Sequence, residues 1–128
     1  MISISDKHNI ARLAGSRDVL MAGPGIPLVR LYDGVQPDPG EPPDGNLIAT
    51  AGVASAVVSG GVLLITLVST PVIVMSTGTP TWARILDAAG DWWMDGAASE
   101  GPGALVTLDT PGPYYYGGRI VIDSVVIG

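Results

Sequence analysis

Cysteine is absent from the 128-residue sequence, and cationic residues are few. Without cysteine the chain cannot form disulfide bonds, use a thiolate nucleophile or hold zinc through sulfur, and its redox compartment is left open. Its 6 Lys and Arg residues are spread singly, and the formal net charge is −6. Because nucleic-acid binding depends on clustered cations that displace phosphate counterions, we expect no nucleic-acid partner.

Charge of either sign is scarce. Charged residues make up 14% of the chain and apolar residues 47%, which is typical of a folded domain rather than a disordered chain. The length fits one core, so we predict a single domain over residues 1–128. A surface so poor in charge is typical of a protein partly covered by other subunits, although a small, weakly charged monomer has the same composition.

The stretch from Gly45 to Ala83 contains no charged residue. Within it, VASAVVSGGVLLITLVSTPVIVM is long and apolar enough to cross a bilayer as a helix. However, this segment is rich in Val, Ile and Thr, a Gly-Gly pair and a Thr-Pro pair interrupt it, and no Lys or Arg flanks it closely. Strands separated by turns are therefore preferred, and we expect no membrane span.

One helix is predicted, over residues 6–22, within an N-terminal helical arm at 1–25. Either Asp6 or Asn9 is expected to cap its start, and a Gly-Pro-Gly sequence ends it. The apolar residues that fall near one face are Ile10, Leu13 and Leu20.

Beyond the helix, apolar runs recur at a spacing of about 8 to 12 residues, with Gly and Pro turn signals between them. The predicted strands cover residues 27–33, 47–58, 62–68, 71–76, 81–87, 91–95, 103–109 and 119–127. In the last strand, Ile120, Ile122, Ser124 and Val126 are expected to share a face. Since no helices separate the strands, we predict an all-β fold, an antiparallel β-sandwich or jelly-roll-like arrangement with a short N-terminal helix.

Two runs within the predicted strands, 62–68 and 71–75, are apolar on both faces. A strand in an antiparallel sheet with one wet face should alternate between apolar and polar residues. These strands are therefore either central between packed layers or covered by a neighbouring chain, and the second option implies an oligomer.

Residues that carry chemistry are not arranged as in a known catalytic motif. The single histidine, His8, lies in the predicted helix, and no nucleophile elbow, dinucleotide-binding motif or P-loop occurs. We therefore predict a non-enzymatic protein without a cofactor. The carboxylates of Asp38, Glu41 and Asp44 are calcium-ligand types, but they lack the regular spacing of a calcium loop, so solvated loop residues are preferred and no metal site is predicted.

Three places in the chain suggest contact with a partner. The Pro/Gly-rich loop over 34–46 must be exposed, because proline removes a backbone donor and glycine admits positive φ. Two adjacent tryptophans in a strand point to opposite faces, so at most one belongs to the core. Three successive tyrosines suit a protein or carbohydrate contact, or else a partly buried wall. The candidate interface residues are Pro37, Pro39, Pro42, Pro43, Trp92, Trp93, Tyr114, Tyr115 and Tyr116.

Two segments carry a resemblance to small structural proteins encoded among the head and tail genes of tailed bacteriophages and prophages. The first, VRLYDGVQPDPGEPPDGNLIAT, resembles their strand ending in Y-x-G, followed by Q-P, a Pro/Gly loop and L-[IL]-A-T. The second, GTPTWARILDAAGDWWMDGA, resembles their G-T-x-x-W-x-R-[IV]-x-D-x-x-G hairpin ending in D-G. The two tryptophans, where the pattern has smaller residues, and the tyrosine triplet depart from it. The matching residues are Tyr32, Gly34, Gln36, Pro37, Trp82, Arg84, Asp87, Gly90, Asp95 and Gly96.

This resemblance implies a virion component. Among virion roles we favour a capsid decoration or cement protein, made in the bacterial host cytoplasm and bound to the capsid surface. Its expected partners are the major capsid protein and further copies of itself, as a homo-oligomer that we take to be a trimer. The alternatives are a phage tail or baseplate component and a carbohydrate-binding β-sandwich module that uses the aromatic residues.

Overall fold

The computed structural model describes residues 3–128. Over these residues the chain forms one helix followed by nine strands. The elements are α1 (Asp6–Met21), β1 (Leu28–Tyr32), β2 (Leu47–Ser59), β3 (Val62–Leu67), β4 (Val72–Ile73), β5 (Trp82–Leu86), β6 (Trp92–Ser99), β7 (Val106–Leu108), β8 (Arg119–Ile120) and β9 (Ile122–Ile127). Seven strands close a barrel in the order β1-β2-β3-β9-β7-β6-β5, and β4 pairs with β8 in a separate two-stranded sheet.

The all-β class with a short N-terminal helix is confirmed, but the predicted antiparallel sandwich or jelly roll is wrong. Two long strands, β2 and β6, each pair with two different neighbours along their length and so close the barrel. β2 pairs with β1 through residues 47–52 and with β3 through 53–59, and its register shifts between Val53 and Ser55. β6 pairs with β5 and then, in parallel, with β7. Strands that change sheets at such irregularities form corners, and strand spacing along the sequence does not reveal them.

Each predicted strand overlaps an observed one, but β6 continues to Ser99, four residues beyond the predicted strand at 91–95, and a further correction applies at the C-terminal end. The predicted strand at 119–127 is divided into β8 and β9. The pairing of β9 with β7 also shifts register, between Thr107 and Leu108. The expected shared face is therefore wrong, because Ile122 and Val125 are buried while Ser124 and Val126 lie on the outer side, half-buried.

The helix begins about two turns before its first buried residue, Leu13, and packs across one end of the barrel. Its N-cap is Ser5, whose Oγ accepts a hydrogen bond from the His8 amide, so neither expected capping residue has that role. Leu13 and Leu20 are fully buried in the barrel core, whereas Ile10 is 52% exposed. The helix thus contributes two side chains, rather than the three expected, to the core that the strands share.

Both ends of the helix are held by turns of the barrel. Asn9 Nδ2 donates to the Gly61 carbonyl between β2 and β3, and the Ala88 amide between β5 and β6 donates to the Leu20 carbonyl. β1 leaves this end of the barrel and leads into the Pro/Gly-rich loop at the other end. The helix and the two ends of the loop therefore lie at opposite ends of β1.

The charge-free stretch 45–83 forms β2, β3, β4 and the start of β5. In β3, Leu63 and Ile65 face the core while Leu64 is 40% exposed. The interpretation that these strands lie between two packed layers is therefore wrong, since their outer faces lie on the surface. No helix within residues 3–128 has the length and apolar character needed to span a membrane.

Candidate interaction surfaces

An aromatic pair fixes the start of the Pro/Gly-rich loop. Tyr32 and Trp82 lie side by side on β1 and β5, with ring centroids 4.6 Å apart and planes at 15°. The Trp82 Nε1–H donates to the Asp33 carbonyl at 3.1 Å. Stacked aromatic pairs contribute about 0.5–1.5 kcal/mol beyond the area that they bury. The pair therefore sets the direction in which the chain leaves β1.

An arginine beneath the loop holds its middle. Arg84 donates from Nε and Nη2 to the two carboxylate oxygens of Asp95, at 2.8 and 3.1 Å, and from Nη2 to the Glu41 carbonyl at 2.6 Å. Only 9% of the Arg84 side chain and 4% of the Asp95 side chain are exposed. The hydrogen bond to Asp95 raises the pKa of Arg84, with burial opposing it and the Asp95 charge adding to it. Arg84 thus stays charged and ties the loop to the β5–β6 hairpin.

Both ends of the loop are also fastened. Asp33 Oδ1 accepts a hydrogen bond from the Asn46 amide at 2.6 Å, and the Asp33 amide donates to the Asn46 carbonyl at 3.2 Å. The Thr81 hydroxyl donates to the Gly34 carbonyl at 2.6 Å. The loop is therefore held on the barrel at its start, middle and end.

The two segments that resemble phage structural proteins meet in this region. Tyr32 pairs with Trp82, and Arg84 pairs with Asp95. Asp87 Oδ1 accepts the Ala89 and Asp91 amides and so shapes the hairpin turn. A side chain at Gly96 would place Cβ 2.7 Å from Leu105 Cβ. The contacts of these residues build the barrel and the loop support.

The structure brings the loop prolines close to one of the two tryptophans. Pro39 and Pro42 are exposed, whereas Pro37 and Pro43 are half-buried. Trp92, which is 45% exposed, lies against the loop, since a Cβ on Gly40 would be 3.2 Å from Trp92 Cε3. Trp93 instead packs against the barrel core. An exposed indole thus lies beside the loop that carries the exposed prolines, and Val35 of the same loop is 84% exposed.

The tyrosine triplet belongs to another segment, which pairs with residues 74–78. Tyr114 packs against the core, and its hydroxyl bonds to the carbonyl and the hydroxyl of Thr110. Tyr115 and Tyr116 are 67% and 77% exposed. The triplet therefore contributes one wall residue and two surface residues.

The sequence did not reveal a groove on the outer side of β2 and β4, which we call the β4 groove. It has a volume of about 390 Å³, and its lining includes Thr50, Pro71, Ile73, Met75 and Arg119. The side chains of Ile73 and Met75 are 56% and 51% exposed. Only the apolar character of both faces of the 71–75 segment indicated a covered surface here.

One arginine lies in the β4 groove, and a second lies between the groove and Arg84, which holds the Pro/Gly-rich loop. Arg119 lies in the lining of the groove and pairs with Ile73 in the β4–β8 sheet. Arg30 lies on β1 between Thr50 of β2 and Arg84 of β5, and its buried Nε has no hydrogen-bond partner. Within the described part of the chain, neither arginine forms an ion pair. The β4 groove therefore combines apolar side chains with a single charge, that of Arg119.

A further row of exposed apolar side chains crosses the C-terminal half of β2, whereas the β4 groove lies at its N-terminal half. Val57 pairs with Leu64 of β3, and Leu64 pairs with Val126 of β9. Val57 is 52% exposed and Leu64 40%. Apolar side chains on the outer wall are thus contiguous across three strands, which is typical of a surface that another protein covers.

The groups considered for metal or proton chemistry lie on the surface. Asp38, Glu41 and Asp44 are exposed on the loop, and His8 is exposed on the helix. Among residues 3–128, no three His, Cys, Asp or Glu side chains are grouped so as to hold a metal ion.

Comparisons with protein-family models, with curated proteins and with solved structures found no match. The resemblance to phage structural proteins therefore depends on the two motif segments alone. Those segments converge on the loop and the hairpin that supports it.

Proposed function

We propose that this chain is a non-enzymatic structural protein of a tailed bacteriophage or prophage virion, and that it decorates the head lattice as a homo-oligomer. The observation that carries the proposal is the fixed position of the 34–46 loop. Hydrogen bonds from Arg84, Trp82 and Thr81 hold its backbone on the barrel. Its exposed prolines and the neighbouring Trp92 face outward.

A loop fixed in this way suits binding to a large, rigid partner. Ordering a flexible loop on association costs free energy, and a loop that is already ordered avoids most of that cost. Proline lowers the cost further because it restricts the unbound backbone. A small barrel that presents such a loop and additional exposed apolar rows can add contact area between subunits of a capsid.

The proposed partners are the major capsid protein and further copies of this chain. The exposed outer faces of β3 and β4 support the second partner, because apolar strand faces of this kind are covered in oligomers. A trimer is the oligomer that we propose.

The proposal is tested by substituting serine for the four loop prolines, Pro37, Pro39, Pro42 and Pro43. Purified variant and wild-type protein are added to particles that lack the protein, and bound copies per particle are measured. We expect reduced occupancy for the variant, with an unchanged circular dichroism spectrum. Unchanged occupancy would show that the loop does not mediate docking.

A matched control replaces exposed prolines outside the loop. Pro102 and Pro111 are both exposed, and neither lies in the 34–46 loop. Pro102→Ser with Pro111→Ser should leave occupancy at the wild-type value. Equal losses in control and loop variants would assign the effect to general flexibility instead of to the loop surface.

A further inference from the structure

A cavity of about 240 Å³ opens in the barrel wall where β3 and β9 separate, and we call it the β3–β9 cavity. The pairing of the two strands ends at Ile65 and Val125. At the same place the register of β9 with β7 shifts, so Asp123 has no partner in either ladder. β-bulges of this kind end strand pairing and redirect a side chain, and they are frequent beside functional sites. The opening in the wall and the unpaired residue therefore coincide.

The lining of the β3–β9 cavity combines core residues with polar side chains. It reaches buried residues such as Ile65. Three hydroxyl side chains belong to it, those of Thr66, Thr70 and Ser124. Asp123 is its only charged residue, and this exposed carboxylate forms no ion pair within residues 3–128. The cavity thus presents one negative charge among hydroxyl groups, next to the apolar core.

The polar groups around the cavity have hydrogen-bonding capacity to spare. Thr70 Oγ1 accepts a hydrogen bond from the Ile122 amide at 3.2 Å, and in the described part of the chain this is the only hydrogen bond that a side chain of the lining makes. A carboxylate accepts about four hydrogen bonds, and each hydroxyl oxygen has two acceptor lone pairs. The cavity is therefore rich in acceptors, one of which is charged.

An ammonium group on an aliphatic stem fits this lining best. It has three donors and no acceptor, and its positive charge matches the carboxylate of Asp123. A guanidinium is a planar fork suited to two acceptors in one plane, whereas an ammonium can donate to separate oxygens in different directions. The cavity is smaller than the 300–1,000 Å³ typical of sites for whole ligands, so it suits a single side chain.

The β3–β9 cavity adjoins the row of exposed apolar side chains on the same wall. Thr66 lies two residues beyond Leu64 on β3, and Ser124 lies two residues before Val126 on β9, so each pair shares the outer face. A protein that covers Leu64 and Val126 therefore passes directly over the cavity.

We propose that the β3–β9 cavity receives a lysine side chain of the major capsid protein. The ammonium group donates to the Asp123 carboxylate and to the hydroxyls of Thr66 and Ser124, while the aliphatic stem crosses the apolar row. This inference rests on the proposed function and names the chemistry of one partner contact, which is separate from the contact made by the 34–46 loop.

A titration of the isotope-labelled full chain with n-butylammonium chloride, followed by amide NMR, tests the site without particles. We expect saturable shifts at Thr66, Asp123 and Ser124, with a dissociation constant in the millimolar range for so small a ligand. The uncharged probe 1-butanol, which has the same stem, should cause no saturable shift. Binding should weaken about tenfold in Asp123→Asn and stay unchanged in Asp109→Asn, an exposed carboxylate outside the lining.

Three results of this titration would overturn the proposal. They are the absence of saturable shifts with n-butylammonium, equal binding of 1-butanol, and unchanged binding in an Asp123→Asn variant whose circular dichroism spectrum is that of the wild type. Tighter binding of n-butylguanidinium would overturn the choice of lysine.

Particle binding separates this inference from the proposed function. Asp123→Asn should lower the number of copies bound per particle, and Asp109→Asn should not. If the wild type binds particles and Asp123→Asn binds equally well, the lysine contact fails and the proposed function stands. If the wild type does not bind particles, the proposed function fails together with the capsid lysine, and the titration still decides whether the cavity is an ammonium site.

Discussion

Arg84 and Asp95 lie directly opposite each other on β5 and β6 and share two hydrogen bonds of 2.8 and 3.1 Å beneath the Pro/Gly-rich loop. The same guanidinium also donates to the Glu41 carbonyl. One side chain thus connects the barrel wall, a buried carboxylate and the loop backbone. The position of the loop, and with it the proposed contact surface, depends on this ion pair.

Removing the carboxylate should therefore destabilise the whole fold. Asp95→Ala leaves the buried Arg84 charge without its partner, and such losses cost about 3–5 kcal/mol. Urea unfolding followed by tryptophan fluorescence measures the change. The control is Asp18→Ala, which removes the exposed Arg17–Asp18 pair and should cost at most about 1 kcal/mol. Equal, small losses in both variants would show that the Arg84–Asp95 pair does not support the barrel.

The indole of Trp82 should hold the loop through a single donor. Trp82→Phe keeps a ring beside Tyr32 but leaves the Asp33 carbonyl without its Nε1–H partner, which should cost about 1–3 kcal/mol. Amide hydrogen exchange at Asn46 should accelerate, because its acceptor Asp33 is no longer held in place. Trp92→Phe is the matched control and should leave that exchange rate unchanged. If the Asn46 amide exchanges as slowly in Trp82→Phe as in the wild type, contacts other than the Trp82 hydrogen bond hold the loop in place.

The helix should contribute to barrel stability through Leu13. Leu13→Ala opens a cavity in the core and should lower the free energy of unfolding by about 2–5 kcal/mol. Ile10→Ala, three residues earlier on the exposed side, should change it by no more than about 0.5 kcal/mol. The two variants are compared by their midpoints of thermal unfolding. Similar midpoints would indicate that the helix is not part of the cooperative unit.

Trp92 distinguishes the proposed function from carbohydrate binding. It is 45% exposed, whereas Trp82 is 1% exposed. A sugar stacked on this indole would change tryptophan fluorescence, and we expect no saturable change on titration with peptidoglycan fragments or lipopolysaccharide core oligosaccharides. Saturable quenching that disappears in Trp92→Ala would favour the carbohydrate-binding alternative.

The sequence located the strands well because their signals are local. Turn residues such as Gly60-Gly61 and Gly90 interrupt apolar runs, and Gly90 adopts φ 90° in the β5–β6 turn. The strands on either side of that turn, at 81–87 and 91–95, were predicted and pair as β5 and β6. Composition and periodicity together therefore gave the all-β class and the N-terminal helix.

The barrel itself was not predictable from those signals. Closure depends on which strands pair, and long strands such as β2 change partners at a register shift near Val53. The pairing of β6 with β7 is parallel and involves residues that no turn connects directly. Such non-local pairings leave no periodic signature in the chain.

The contact surfaces were partly visible from the sequence. The loop prolines and Trp92 were predicted as contact residues, and the fold places Trp92 against Gly40 of the same loop. Thr50 and Arg119, in contrast, are 69 positions apart by their residue numbers, and only the barrel and the β4–β8 sheet bring both to the groove. Isolated arginines carry no pattern that would have indicated this surface.

The copy number of this protein in purified particles tests the virion proposal most directly. Quantitative mass spectrometry compares it with the major capsid protein in particles from the source of the sequence. A decoration protein should be present in hundreds of copies, close to the number of capsid subunits. A handful of copies would place the protein at the tail or portal and contradict decoration, and its absence from particles would contradict a virion role altogether.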